Sequence, residues 1–173
     1  MIIWLNGAFG AGKTTTTEEL TALLPESRAF AAEQVGYMLR HVLHTVPVRD
    51  FQEWPPWRAL VVETASRILG FVGGTLVVPQ TVLVRRYWRE IDTGLWERGI
   101  PVHHFVLHTD RDTLTTRIHT DTKPESRAAV GRRLGKLSAY EDALPWLRQE
   151  AAIIDTTEIT PAQAAHQIAE RTQ

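Results

Sequence analysis

Short apolar runs alternate with longer stretches of helical periodicity along the whole chain, with no internal repeat or low-complexity segment. Ile2-Ile3-Trp4-Leu5 is a continuous apolar run ended by Asn6-Gly7, the pattern of a parallel strand buried on both faces. Helical spacing follows from Gly12 to Leu24, with Leu20, Leu23 and Leu24 in phase and Pro25 as the stop. A weak second strand is expected over Arg28 to Ala32. Helical periodicity returns over Glu33 to Thr45 and again over Pro56 to Leu69, around a Pro- and Trp-rich loop from Val46 to Trp57.

Thr75-Leu76-Val77-Val78, closed by Pro79, reads as a third strand, and Val84 to Arg98 as a helix ended by Gly99. Val102 to Leu107 is the fourth strand; either Thr109 or Asp110 caps the helix that carries Leu114 and Ile118. A polar stretch from His119 to Arg127 leads into a basic helix running to about Leu144. Ala152-Ile153-Ile154 is the fifth strand, and Thr160-Pro161-Ala162-Gln163 opens the last helix with a capping box. Five strands alternating with helices predict an α/β fold of three layers around a parallel sheet. In such sheets ligands bind beyond the carboxyl ends of the strands, so the turns after each strand are where chemistry is expected.

Composition narrows the class. The 173 residues fit one domain, 1–173, with an ordinary balance of 43 % hydrophobic and 23 % charged residues. Nineteen basic against 20 acidic residues leave a net charge of −1, which argues against a nucleic-acid partner. The absence of cysteine removes disulfides, thiol catalysis and Cys-based zinc sites. No apolar run reaches the length of a membrane span, and the N-terminus lacks the basic region of a secretory signal, so a cytoplasmic protein is expected. His103 and His104, neighbours in a strand, point to opposite faces and share no ligand geometry; with His108 they are read as structural.

The turn after the first strand reads Gly7-Ala8-Phe9-Gly10-Ala11-Gly12-Lys13-Thr14, the complete G-x-x-x-x-G-K-[ST] phosphate-binding pattern between a strand and a helix. Glycines let the backbone curl so that successive N–H groups point at an anion, and the helix N-terminus adds partial positive charge. Gly7 to Thr15 are therefore the expected ATP-binding segment, with Lys13 on the β and γ phosphates and Thr14 on Mg²⁺.

Which P-loop protein is narrowed by what is missing. Asn6 is the only asparagine, so the Asn-Lys-x-Asp motif that reads guanine in GTPases is absent. The third strand ends Val77-Val78-Pro79-Gln80, without the acid that many ATPases place there. The remaining class is the small phosphotransferases, of nucleoside-monophosphate-kinase-like plan. The basic stretch Arg127, Arg132, Arg133, Lys136 falls where such kinases carry a lid, here about 119–136, and holds more arginine than the alternative, a solvated helix face, needs. Arg117 and Asp155-Thr156 lie where small kinases contact the adenine. Glu33 lies where they place a carboxylate beside the acceptor hydroxyl; an acid at a helix N-terminus is also stabilised there by the dipole alone.

Met1 to Thr14, Asp50-Phe51-Gln52 with Trp57-Arg58, Val77-Val78-Pro79-Gln80-Thr81 and Val102-His103-His104-Phe105 closely resemble bacterial tunicamycin resistance proteins, in order and over nearly the whole chain. A fainter similarity reaches gluconate, shikimate and chloramphenicol kinases. The resemblance implies an ATP-binding protein acting against tunicamycin, a nucleoside antibiotic built of uracil, sugars and a fatty acyl chain. Two departures stand out. Ala31 and Ala32 occupy the place before Glu33 where related kinases tend to have a further acid. The chain also ends at Gln173 without the basic extension of some relatives, so membrane attachment by that route is not expected.

An acceptor region is expected over about 33–58. Tyr37, Phe51, Trp54 and Trp57 are candidate walls for a base or an acyl chain, or packing beneath the Pro-rich loop. Arg40 and Arg58 are candidate holders of anionic or polyol groups, with Asp50 and Gln80 nearby. The expected activity is ATP- and Mg²⁺-dependent phosphoryl transfer to a small-molecule hydroxyl, with Glu33 as base and Arg127, Arg132 and Arg133 on the transferring group. An ATP-gated protein that only sequesters the drug and a small-metabolite kinase are the alternatives. The sequence gives no signal of oligomeric state.

Overall fold

A computed structural model describes residues 1–120 and 130–172, with the side chain of Arg132 excepted. Within them the expected architecture is present. Five parallel strands, β1 (Ile2–Gly7), β2 (Ser27–Ala29), β3 (Thr75–Pro79), β4 (Val102–His108) and β5 (Ala152–Asp155), form one sheet in the order β2-β3-β1-β4-β5.

β1 is the central strand, paired with β3 on one side (Ile2↔Leu76) and β4 on the other (Ile2↔Val102), which is why its run is apolar without alternation. The pleat divides that run between two cores. Ile3 and Leu5 join Val77, Phe105 and Leu107 on one face, under helices α1 (Lys13–Leu23), α5 (Arg111–Thr120), α7 (Leu137–Glu150) and α8 (Pro161–Glu170). Ile2 and Trp4 join Leu76 and Val78 on the other, under α2 (Glu33–Val42), α3 (Pro55–Val72) and α4 (Arg85–Trp96). Trp4 is fully buried and donates its indole N–H to the carbonyl of Gln80 at 2.9 Å, so the ring fills the core without stranding its polar atom.

The chain leaves β1 for α1 on the first face and leaves β3 for α4 on the second. Neighbouring strands whose helices diverge to opposite faces open a crevice at their carboxyl ends. Here that crevice lies between the turn after β1 and residues 80–84 after β3.

Several boundaries differ from expectation, each for a local reason. α3 runs past Leu69 to Val72, although Phe71 is 90 % exposed; its backbone continues until Gly73 turns it at φ +65°. β2 spans Ser27–Ala29 and stops before Ala32. The basic helix expected to reach Leu144 is two helices, α6 (Val130–Gly135) and α7, broken at Lys136. α7 continues through Pro145 to Glu150, held by the buried Leu147 and by the Trp146 indole on the Leu83 carbonyl at 3.2 Å. Asp110, not Thr109, caps α5, accepting the Thr113 N–H at 2.9 Å. The capping box of α8 is complete.

Candidate functional site: the turn after β1 and its rim

The turn after β1 is shaped by three glycines with positive φ: Gly7 (+133°), Gly10 (+85°) and Gly12 (+88°). At Gly7 the constraint is absolute, because a Cβ would sit 2.4 Å from the Leu107 carbonyl oxygen. Gly12 hands the chain directly into α1. Among the described residues no side chain caps that helix, and its first turn holds no acid. Its N–H groups and the positive end of its dipole are thus left for an external anion. The Thr14 and Thr15 side chains are exposed at this mouth.

Lys13 Nζ lies over the turn, donating to the carbonyls of Gly7 at 3.0 Å and Ala8 at 2.7 Å. Burial pushes this ammonium down to about 7, Arg133 pushes the same way, and Glu33 opposes both. The fold thereby brings Lys13 and Arg133 together at the Phe9 ring, with Glu33 near enough for its charge to act on Lys13. The Phe9 ring sits among cations: Lys13 Nζ at 5.6 Å, the Arg133 guanidinium at 5.7 Å and Lys136 Nζ at 6.0 Å from its centre.

The root of the turn is held by Asn6, which is fully buried. Its Oδ1 accepts the N–H groups of Gly7 (2.9 Å) and Val82 (3.0 Å), and its Nδ2 donates to the Val82 carbonyl at 2.8 Å. Thr81 Oγ1 donates to the Gly7 carbonyl at 2.7 Å, and Gln52 Nε2 donates to the Thr81 carbonyl at 2.8 Å. His104 lies beneath, stacked on Trp88 with ring centres 3.8 Å apart. Its Nδ1 is 3.1 Å from the Glu150 carbonyl, so Nδ1 carries the proton and Nε2 accepts from Asn6 Nδ2 at 3.4 Å. Burial pushes this imidazole down to about 4.

At the other end of the turn, Thr156 Oγ1 reaches the Ala11 carbonyl at 3.4 Å, the His108 carbonyl at 3.0 Å and Thr109 Oγ1 at 2.7 Å. Arg117 spans Thr109 Oγ1 (3.3 Å) and the carbonyls of Thr156 (2.8 Å) and Thr157 (3.3 Å). Arg117 and Thr156 are therefore brought together beside the turn. The Thr156 hydroxyl is buried beneath Ala11 and braces it.

The residues of the acceptor region separate into two groups. Tyr37, 42 % exposed, and Phe51 meet edge to face at 6.3 Å, with the Arg40 guanidinium over both rings at 5.7 and 5.6 Å. Glu33 lies one turn before Tyr37 on α2, and Asp50 beside Phe51 pairs with Lys136. Trp57 and Arg58 sit behind this wall, correcting their assignment to it. Trp57 is fully buried against Phe51 and donates to the Ala32 carbonyl at 3.2 Å. Arg58 is buried against Glu90, the Gln52 carbonyl and the Tyr87 ring, because a guanidinium enters a core only with partners for its N–H groups. Gln80 is also buried, with its amide on the Thr81 carbonyl at 3.2 Å, and Trp54 packs in the core. Arg127 lies outside the described residues, as does half of the expected lid segment, 121–129.

Among the described residues no group of His, Cys, Asp or Glu is arranged to hold a metal, and no helix is long and apolar enough to cross a membrane. His108 faces Tyr140, its Nδ1 2.9 Å from the phenol oxygen, whose pKa burial raises. Asn6 is a site residue that the sequence analysis does not single out, although it was legible as a polar residue closing an otherwise apolar strand; Lys136, expected in the basic stretch, lies at the rim beside Phe9 and Asp50.

An uncapped helix after a glycine turn, one lysine over it and a crevice at the strand ends define a P-loop protein of the small-molecule kinase fold. Solved structures agree. A sugar kinase from Janibacter sp. HTCC2649 is 20 % identical with a TM-score of 0.64, covering 98 % of this chain and 92 % of that one. A gluconokinase from Sinorhizobium meliloti 1021 is 19 % identical with a TM-score of 0.63, covering 98 % and 91 %. The tunicamycin resistance protein of Deinococcus radiodurans is 35 % identical with a TM-score of 0.77, covering 99 % of this chain and 94 % of that one. The chain belongs to the tunicamycin resistance protein family. No protein-family model matches the sequence, and no curated protein matches it.

Proposed function

We propose that this protein is an ATP- and Mg²⁺-dependent phosphotransferase that acts on a hydroxyl of tunicamycin or a related nucleoside antibiotic. The observation that carries the reading is a glycine-shaped helix N-terminus left uncapped beneath Lys13, with the charge of Glu33 near enough to act on that ammonium. One side holds phosphate and the other holds a base, which is the minimum that phosphoryl transfer to an alcohol requires.

In this reading the N–H groups of the turn and Lys13 hold the triphosphate, with Arg117 toward the nucleoside. The Thr14 hydroxyl would hold Mg²⁺, which would supply neutralisation of the phosphate charge. Tyr37, Arg40 and Phe51 border the acceptor. Glu33 takes the acceptor's hydroxyl proton as the oxygen–phosphorus bond forms and the bond to the bridging oxygen of ADP breaks. Arg133, and with it the basic segment proposed as a lid, offsets charge on the transferring group. Most of the acceleration then comes from positioning and electrostatics.

The test is mass spectrometry of tunicamycin incubated with protein, ATP and Mg²⁺. The expected result is a gain of one phosphoryl group that requires ATP and is lost in Lys13→Ala. Unmodified drug after prolonged incubation removes the reading. One observation favours a second: β3 is followed by the amide Gln80 rather than an acid, as suits a protein that binds ATP to gate drug capture without chemistry. Protection that is stoichiometric rather than catalytic identifies that case.

A further inference from the structure

One ion pair at the rim joins the basic segment to the acceptor side of the site. Lys136, at the break between α6 and α7, pairs its ammonium with the carboxylate of Asp50. The two oxygens of Asp50 serve different partners. Oδ1 accepts the Gln52 N–H at 3.2 Å and so caps the short turn Phe51–Glu53, while Oδ2 holds Lys136.

The two partners are fixed to different degrees. Asp50 is tied to the phosphate turn through its neighbour: Gln52 donates to the Thr81 carbonyl, and Thr81 donates to the Gly7 carbonyl. Lys136 reaches in on a flexible four-carbon stem, and the pair stands at a solvent-accessible rim, with side chains 38 % and 27 % exposed. Ion pairs in that setting are weak and readily exchanged. The Phe9 ring, part of the phosphate turn, keeps the Lys136 ammonium within 6.0 Å of its centre, the same ring that Lys13 approaches at 5.6 Å.

The turn has two distinguishable ends. Arg117 and Thr156 brace the Gly10–Ala11 side, whereas Glu33, Asp50 and Thr81 lie on the side of Gly7 and Lys13. A phosphate chain laid along the turn, with its nucleoside toward Arg117, points its outermost phosphate toward Asp50 and Lys136.

We propose that Lys136 is a ligand of the terminal phosphate of ATP and that Asp50 is its built-in competitor. The ammonium leaves the carboxylate for the γ-phosphate, and with ADP it stays on Asp50. The pair thereby makes the acceptor side of the site sensitive to whether a transferable phosphate is present. This inference rests on the phosphate-site reading of the turn and not on phosphoryl transfer to the drug.

The experiment measures dissociation constants by calorimetry for a β,γ-imido analogue of ATP and for ADP, each with Mg²⁺ at one ionic strength. It uses the wild-type chain, Lys136→Met and Asp50→Asn. Asn keeps the Oδ1 cap of the Phe51 turn and removes only the charge, so the fold is retained. A charge-assisted contact to phosphate predicts that Lys136→Met lowers the preference for the triphosphate over ADP by about tenfold. Asp50→Asn is expected to raise that preference, by about threefold or more, because the competitor is gone. Opposite directions in the two variants are the signature. A ratio unchanged in both, or shifted the same way in both, overturns the proposal. A wild-type chain that binds neither nucleotide overturns the phosphate-site reading itself, and this proposal with it.

Discussion

At the root of the phosphate turn, the fully buried Asn6, tied to the buried Val82, and the half-buried Thr81 hold Gly7 through neutral hydrogen bonds. At its rim, a few residues away, Lys13, Arg133 and Lys136 crowd around Phe9, Asp50 pairs with Lys136 and the charge of Glu33 acts on Lys13, and every one of the five is ionisable. The difference teaches how one turn serves two ends. Neutral buried bonds cost little to form and much to break, and salt does not weaken them, so they set geometry. Charged groups half out of water are held weakly and take up an anion readily, so they are suited to exchange. Substitutions at the root are therefore expected to act on stability first, and those at the rim on binding and chemistry.

The largest effect is expected from Gly7→Ala. Its Cβ has no room beside the Leu107 carbonyl, so the turn is displaced and nucleotide binding by calorimetry is lost, with a lowered unfolding midpoint. Glu33→Gln comes next and acts on the rim alone. Product formation is expected to fall by about 10²- to 10⁴-fold while nucleotide affinity and the unfolding midpoint stay near wild type. A variant that loses stability instead would move Glu33 from the rim to the root. Asn6→Ala is the complementary case: the N–H groups of Gly7 and Val82 lose their acceptor in a dry site, costing about 3 kcal/mol in denaturant titrations.

Two pH effects sharpen the contrast. Lys13 has a folded-state pKa depressed to about 7 from the usual lysine value of 10.5, so the unfolded chain binds this proton more tightly. Its contribution thus strengthens the fold as pH rises from about 7 toward 10.5, a slope that Lys13→Met is expected to abolish. Phosphate raises the proton affinity of the ammonium, so ATP binding near pH 8 is expected to take up protons, measurable by calorimetry in buffers of different ionisation enthalpy. His104 at the root has a folded pKa depressed to about 4 from 6.5. Its neutral form contributes stability that is present above pH 6.5 and is lost as pH falls toward 4, which acid titration of the unfolding midpoint reads.

The amino-acid sequence by itself determined the sheet, its parallel sense and the phosphate turn. A central parallel strand must be apolar at every position, and Ile2 to Leu5 are. A turn that wraps an anion must place glycine where φ is positive, and Gly7, Gly10 and Gly12 stand at those positions. Signals of this kind are local, because backbone sterics and a run of hydrophobic residues act over a few residues. Burial of the acceptor-region side chains was not legible. Nothing in the spacing of Arg58 and Trp57 separates a guanidinium paired in the core from one facing a ligand; the outcome depended on Glu90 and Tyr87, which another helix supplies. The pairing of Asp50 with Lys136 and the gathering of Lys13, Arg133 and Lys136 at Phe9 were likewise decided by the tertiary structure alone. Side chains far apart in the chain meet only after the sheet has closed, and Coulomb's law reads distance in space rather than along the sequence.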